Sequence, residues 1–324
     1  MTARPDRPAD SDALTDESHP GTIPFSDEVD DVSRIAGKHR LLLIGTGDLP
    51  ARLLPLLEED SWEVAGIRRS DAPIAGAPEG RVEMHRGDAA DESALEPLFR
   101  ARPNAAIVTV SPPERTEAAY EQTYLDTARS VARVAGGLSP ETHLVFVSST
   151  SVYGQDAGEI VDESSETRPS RPTAGILLEA ERAITASGLP WSVVRFSGIY
   201  GPGRERLVNR IREGVSSNAA AAWTNRIHAD DCARVLHFVL TADTVPATGA
   251  GVLLATDNEP ALRHDVEAWI AKQLGVALSP RGRTDAPARG KRCDNARLRS
   301  LGFQPKYPDY RAGYAEILQD GEGR

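Results

Sequence analysis

From residue 39 onward, short apolar runs alternate with longer amphipathic stretches. The runs are RLLLIG (40–45), EVAGIR (63–68), RVEMH (81–85), AAIVTV (105–110), HLVFVS (143–148) and WSVVRF (191–196). They are rich in Val, Ile and Leu and show no in/out alternation, the pattern of strands buried on both faces. Between them, residues 49–59, 91–101, 114–136 and 174–187 read as helices. This repeated βαβ order predicts an α/β fold, a Rossmann-like doubly wound parallel sheet with helices on both faces.

After residue 200 the rhythm loosens. NRIHADDCARVLHFVLTA predicts a capped helix, GVLLATD a further strand, and EPALRHDVEAWIAKQLG a helix closed by Gly275. The last segment reads as a short helix among Pro- and Tyr-rich loops. The expected organisation is a dinucleotide-binding core over 39–200 and a mainly substrate-side lobe over 201–324. The lobe's further strand and helices would pack on the core.

Composition changes the picture mainly at the N-terminus. The first 38 residues hold nine Asp/Glu and four Lys/Arg, no apolar period, and many Pro and Ser. That composition predicts a disordered acidic tail over 1–38. It has no basic region leading into an apolar run, as a signal peptide would, and no stretch of the chain approaches the ~20 apolar residues of a membrane span. A net charge of -11 argues against a nucleic-acid surface. Cys232 and Cys293 form no disulfide framework, and the seven histidines show no metal-ligand spacing. The expectation is a soluble cytoplasmic protein with a small-molecule substrate, no metal, no nucleic acid and no membrane.

The candidate chemistry begins at GTGDLP (Gly45, Thr46, Gly47, Asp48, Leu49, Pro50). A Gly-x-Gly turn between the first strand and its helix lets the backbone approach a pyrophosphate at the helix N-terminus. Pro50 replaces the third glycine of that fingerprint, a substitution the first helical turn tolerates. The second strand ends in Arg68, Arg69 and Ser70, where an NAD site usually has an acid. Paired guanidiniums can hold a 2′-phosphate, which favours NADP while leaving NAD open. In RGDAAD, Asp88 beside Ala89 is placed to accept from an adenine amino group, and Asp91 to cap the next helix. Val110 and Ser111, in VTVSPP, would line the cofactor's far side.

HLVFVSSTSVYG (143–154), together with GTGDLP, RGDAAD, VVRFSGIYGPGR (193–204) and RIHADD (226–231), resembles the NAD-dependent epimerase/dehydratase family. These are the extended short-chain dehydrogenase/reductases, and the likeness spans 40 to about 315. LRSLGFQPKYPDYRAGY resembles the C-terminal end of an atypical branch, the YeeZ-like proteins. The resemblance implies that Ser149 hydrogen-bonds the substrate oxygen beside the nicotinamide, and that Gly198 and Gly201 let a loop approach the cofactor closely. It also implies a Tyr and a Lys four residues later on the following helix, the tyrosine serving as general acid. The matching positions are Thr173 or Ala174 and Leu177 or Leu178. The chain has no lysine between Lys38 and Lys272, and none of its seven tyrosines precedes a lysine by four. Substitute acids are Tyr153, Tyr200 and His228, each with a structural alternative.

On the helix at 174–187, Leu177 and Leu178 would pack on the sheet while Glu179 and Glu181 face solvent. Arg204 and Arg206 face either solvent or an anionic substrate. The helices at 114–136 and 174–187 serve either packing on their own sheet or, as the resemblance implies, a homodimer. Two functions follow. One is an NAD(P)-dependent oxidoreductase or epimerase/dehydratase acting at a carbonyl or secondary alcohol, a nucleotide sugar being one possible substrate. The other is a non-catalytic NAD(P)-binding sensor or interaction protein. A serine hydrolase is disfavoured by the absence of a G-x-S-x-G elbow.

Overall fold

The computed structural model describes residues 38–70, 72–216, 221–278 and 288–322. Apart from Lys38, the acidic tail expected over 1–38 lies outside the described residues, as does Asp71.

The expected strands form one seven-stranded sheet. They are β1 (His39–Ile44), β2 (Trp62–Arg68), β3 (Glu83–Arg86), β4 (Ala105–Val108), β5 (His143–Ser149), β7 (Trp191–Phe196) and β11 (Gly251–Ala255). The spatial order is β11-β7-β5-β4-β1-β2-β3, and every pairing is parallel. The chain starts in the interior at β1, moves to one edge through β2 and β3, and then crosses to β4 on β1's other side. A crevice opens at such a reversal, above the carboxyl ends of the strands.

The lack of alternation in the inner strands has a direct cause, that both faces are covered; edge strand β3 is the exception, with no buried residue. In β1, Leu42 and Ile44 join a core with α2 (Glu92–Arg100), α4 (Thr127–Leu138) and α5 (Pro172–Thr185). Leu41 and Leu43 join the opposite core with α1 (Asp48–Leu53), α7 (Ala229–Thr241) and α9 (Ala296–Ser300). Each such buried Leu contributes about 1.5–3 kcal/mol relative to exposure. Asp91 caps α2 by accepting the Ser93 N–H at 2.9 Å, and Gly275 closes α8 (Arg263–Leu274) at φ +65°.

The helix expected over 114–136 is interrupted. A short α3 (Glu117–Tyr120) leads into a π-helical stretch, Glu121–Asp126, before α4. Wide turns of this kind often mark functional sites, and this one faces the crevice. The C-terminal part holds more helix than expected. A 13-residue α10 (Tyr310–Glu322) packs with α6 (Arg206–Arg212) and α8 in a third core around Tyr200, Val208, Ile270 and Tyr314.

Three two-stranded pairs were not predicted. β6 (Ala157–Val161) pairs with β13 (Gly290–Cys293), β8 (Gly198–Tyr200) with β10 (Arg226–His228), and β9 (Trp223–Thr224) with β12 (Ala261–Leu262). Their partners are far apart in sequence and too short to carry a period. Among the described residues, no helix is long and apolar enough to cross a membrane.

Candidate active site

The first strand ends where its last residue must turn sharply. Gly45 sits at φ +86°, and a Cβ there would lie 3.0 Å from the Thr109 carbonyl carbon and the Val110 nitrogen. Only glycine avoids both the left-handed strain and this contact. The Thr109 hydroxyl donates to the Gly45 carbonyl at 2.6 Å and ties the turn to the end of β4. At Gly47 a Cβ would meet nothing within 4 Å, so the space above the N-terminus of α1 is open.

A cleft of about 400 Å³ lies over this turn. Gly45, Thr46, Gly47, Arg68, Arg69, Ser70, Asp88, Ala89, Val110 and Ser111 all line it. It is also lined by Gly87, Thr109 and, from the π-helical stretch and the start of α4, Gln122, Thr123 and Thr127. Gly87 and Thr109 fall within the RGDAAD and VTVSPP segments, whereas Gln122, Thr123 and Thr127 carry no local signal because they come from a helix rather than a strand end. The Thr46 hydroxyl is buried with no hydrogen-bond partner. An orphaned hydroxyl beside a glycine turn suits a phosphate oxygen, so the cleft's residues fit a dinucleotide.

Three cofactor candidates lie off the cleft. Leu49 is buried in the core. Asp48 is bound by Arg52 at 2.8 Å and Arg204 at 2.9 Å, so its carboxylate and the Arg204 guanidinium are directed at each other. Gly198 is held in the β8–β10 pair and donates its N–H to Asn225. On the cleft wall, Arg68 donates to the carbonyls of Ala72 and Pro73 at 3.0 and 3.4 Å and braces the loop after β2. Arg69 is exposed. Asp88 accepts the Ala90 N–H at 3.0 Å, which organises the turn before α2.

Two strands from β1 and outside the residues that line the cleft, Ser149 closes β5 and opens a single 3₁₀ turn, Thr150–Val152. Its oxygen accepts the Ser151 N–H at 3.1 Å, which leaves the hydroxyl proton free to donate. Ser149 is half-buried, whereas Ser148 points inward and donates to Glu181. Glu181 is 3% exposed, so the expected solvent-facing position is wrong. Its carboxylate grips the Arg195 guanidinium through Nη2 at 2.6 Å and Nε at 3.0 Å. The physical reason is register: on α5, Glu181 falls on the stripe of Leu177, Leu178 and Ile184, against β7, where Arg195 points in.

The same guanidinium donates to the Tyr153 hydroxyl at 2.7 Å. Tyr153 is 1% exposed, and burial pushes its phenol up to about 12. A phenol locked under Arg195 and away from the cleft is a packing element and a poor proton donor. Thr173 is half-buried near the start of α5, and Ala174, Leu177 and Leu178 are buried.

Tyr200 and His228 meet elsewhere, edge to face with ring centres 5.3 Å apart. Tyr200 packs on Tyr314 of α10, and burial raises its phenol well above the ordinary value. His228 is fully buried. Its Nδ1 accepts the Asp230 N–H at 3.2 Å and caps α7, and burial holds the imidazole below its usual pKa. His228, Asp230 and Glu316 bring potential ligand atoms within 4.8 Å of one another. Arg52 already pairs with Asp230 at 2.6 Å and Lys306 with Glu316 at 3.5 Å, so both carboxylates have cations. Neither Tyr200 nor His228 lines the dinucleotide cleft.

The sequence profile of the NAD dependent epimerase/dehydratase family matches residues 42–250. Among curated proteins, the chain is 26% identical to protein YeeZ of Escherichia coli (strain K12) over 278 residues, 83% of this chain and 97% of that protein. It is 27% identical over 318 residues to a 3-diazoavenalumate denitrifying reductase of a Streptomyces species, covering 85% and 98%. A structure from Methylobacillus flagellatus described as an NAD-dependent epimerase/dehydratase superposes with a TM-score of 0.74 at 31% identity, covering 89% of this chain and all of that one. UDP-glucuronic acid 4-epimerase from Bacillus cereus, solved with NAD, shares the fold with a TM-score of 0.68 at 18% identity, over 86% and 99% of the two chains. The profile match runs from inside β1 to the residue before β11 and takes in both the glycine turn and Ser149, and on that ground the chain belongs to the NAD dependent epimerase/dehydratase family.

Proposed function

We propose that this protein is an NAD(P)-dependent oxidoreductase acting at a carbonyl or secondary alcohol of a small molecule. The observation that carries the reading is the pairing, on one sheet, of an open glycine turn after β1 with a donor hydroxyl, Ser149, at the end of β5. The cleft's residues would hold a nicotinamide dinucleotide, which supplies or accepts the hydride when bound. Ser149 orients the substrate oxygen through its hydroxyl. NADP is the preferred form, because Arg68 and Arg69 line the cleft where an acid would select NAD. Nucleotide sugars are one substrate class to test, the Bacillus cereus structural neighbour being a UDP-glucuronic acid epimerase.

The test is turnover of NADPH and NADH across a panel of carbonyl compounds and nucleotide sugars, with Ser149→Ala alongside. The variant is expected to lose about 10²–10³-fold in kcat, as removal of an oxygen-orienting donor does, while binding NADPH as before. An unchanged rate removes Ser149 from the mechanism. A second reading, a dinucleotide sensor without turnover, draws on Thr173 or Ala174, and Leu177 or Leu178, standing where the family's tyrosine and lysine are expected. NADPH binding with no turnover on the whole panel would favour it.

A further inference from the structure

We propose that Lys291, brought in from β13, is the proton donor to the substrate oxygen beside Ser149. The proposal rests on the oxidoreductase reading above. The helix after β5 holds no lysine or tyrosine, but the tertiary structure delivers a lysine to the same turn from 138 residues further along the chain.

The geometry is specific. The Lys291 Nζ donates to the Tyr153 carbonyl at 2.6 Å, at the end of the turn that Ser149 opens. Lys291 lies where the register of β13 against β6 shifts, between Gly290 and Arg292. Cys293 meets the Thr150 side chain through its thiol. β13 therefore reaches the Ser149–Tyr153 turn at two points, through Lys291 at Tyr153 and through Cys293 at Thr150. β13 itself is firmly held. Asn225 accepts the Cys293 N–H at 2.7 Å and donates to the Lys291 carbonyl at 2.9 Å, and the Gly290 N–H donates to Asp156. Arg289 also pairs with Asp156.

The ammonium uses one of its three N–H bonds on Tyr153, which leaves two for a ligand. It is half-buried, and Arg171, at the N-cap of α5, is a further positive charge near it. Burial, with Arg171 adding to it, lowers the Lys291 pKa, although Cys293 and Asp156 act the other way. A lysine so placed gives up a proton more readily than a solvated one. In the reductive direction the substrate O–H bond forms as a Lys291 N–H bond breaks, while the carbonyl carbon gains the hydride that a reduced nicotinamide dinucleotide supplies. Water then returns a proton to the neutral amine. In the oxidative direction the amine takes the alcohol proton.

The chain contains four lysines, so one measurement reads them all without turnover. Acetic anhydride labelling across a pH series, read by mass spectrometry on the full chain, is expected to give Lys291 a lower midpoint than Lys38, Lys272 or Lys306. A midpoint at or above theirs overturns the proposal. Lys291→Met is expected to bind NADPH normally and lose about 10²–10⁴-fold in kcat. Lys291→Arg keeps the charge but holds its proton, and should be slow too. In the wild type, carbonyl reduction should fall as pH rises through the Lys291 midpoint. That limb should vanish in Lys291→Met, and ethylamine should restore rate to Lys291→Ala. Normal turnover and an unchanged pH profile in Lys291→Met overturn the proposal and leave the oxidoreductase reading standing. No wild-type turnover on the panel overturns both.

Discussion

Two adjacent strand pairs of the central sheet, β1–β4 and β5–β7, hold their chemistry by different means at their carboxyl ends. At the β1–β4 end the backbone dominates: a glycine at positive φ, an open helix N-terminus and one hydroxyl tie from Thr109. At the β5–β7 end side chains dominate, in a buried cluster of Ser148, Glu181, Arg195 and Tyr153 drawn from two strands, a helix and a turn. The first is a short glycine turn pinned by Thr109, 64 residues further along the chain, and the second is a set of side chains up to 47 apart in sequence, Ser148 to Arg195. Damage at the first end should fall on binding, and damage at the second on folding.

The largest test of that contrast is Glu181→Ala. It leaves the Arg195 guanidinium buried without its carboxylate, and removing one partner of a buried pair costs about 3–5 kcal/mol. Urea denaturation should show a loss of that size, whereas Tyr153→Phe, which removes only the acceptor of one Arg195 hydrogen bond, should cost about 1–3 kcal/mol. If Glu181→Ala unfolds at the wild-type midpoint, the cluster is not what holds this end.

Gly45→Val should act in the opposite way. Strain at positive φ costs about 1–3 kcal/mol, and the added side chain meets the Thr109–Val110 backbone. Loss of NADPH fluorescence enhancement should exceed the change in Tm, since the turn shapes the cleft more than the core. A variant that binds NADPH normally would break the comparison.

A pH test reaches the region beyond β11. Asp257 is 1% exposed, and burial raises its carboxyl to about 8. The folded form thus holds a proton that the unfolded chain releases near pH 4. Stability from this group is full below about pH 4 and is lost as pH rises toward 8. Asp257→Asn should flatten the decline in Tm between pH 5 and 8. A decline as steep as the wild type's would exclude Asp257 as its source.

The smallest expected effect is at Arg69, exposed on the cleft rim. Arg69→Ala should lower NADPH affinity about tenfold while leaving NADH affinity unchanged, a difference of one charge-assisted hydrogen bond. Equal losses for both would assign Arg69 to general electrostatics.

Much of this molecule was legible along the chain. The six apolar runs were legible because parallel strands buried on both faces carry their signal locally, and the glycine turn because positive φ demands a residue type at one position. The register of Glu181 was not. Its charge suggests solvent, and only packing against β7 reveals the Arg195 partner that offsets the cost of burial. Tyr153 looked like a candidate acid for the same reason: its place beside Ser149 is sequential, while its hydroxyl is committed in space to Arg195.

The sequence by itself determined the strands of the sheet, the glycine turn after β1, the position of Ser149 and the lack of a Tyr-x3-Lys pair, because each is written in residues that are neighbours in the chain. Only the tertiary structure decided which charges are buried, that a π-helical stretch lines the cleft, and that Lys291 reaches the Ser149–Tyr153 turn. Those depend on the β6–β13 pairing and on helix-to-strand packing, where contacts between distant segments set the energy and no local pattern records them.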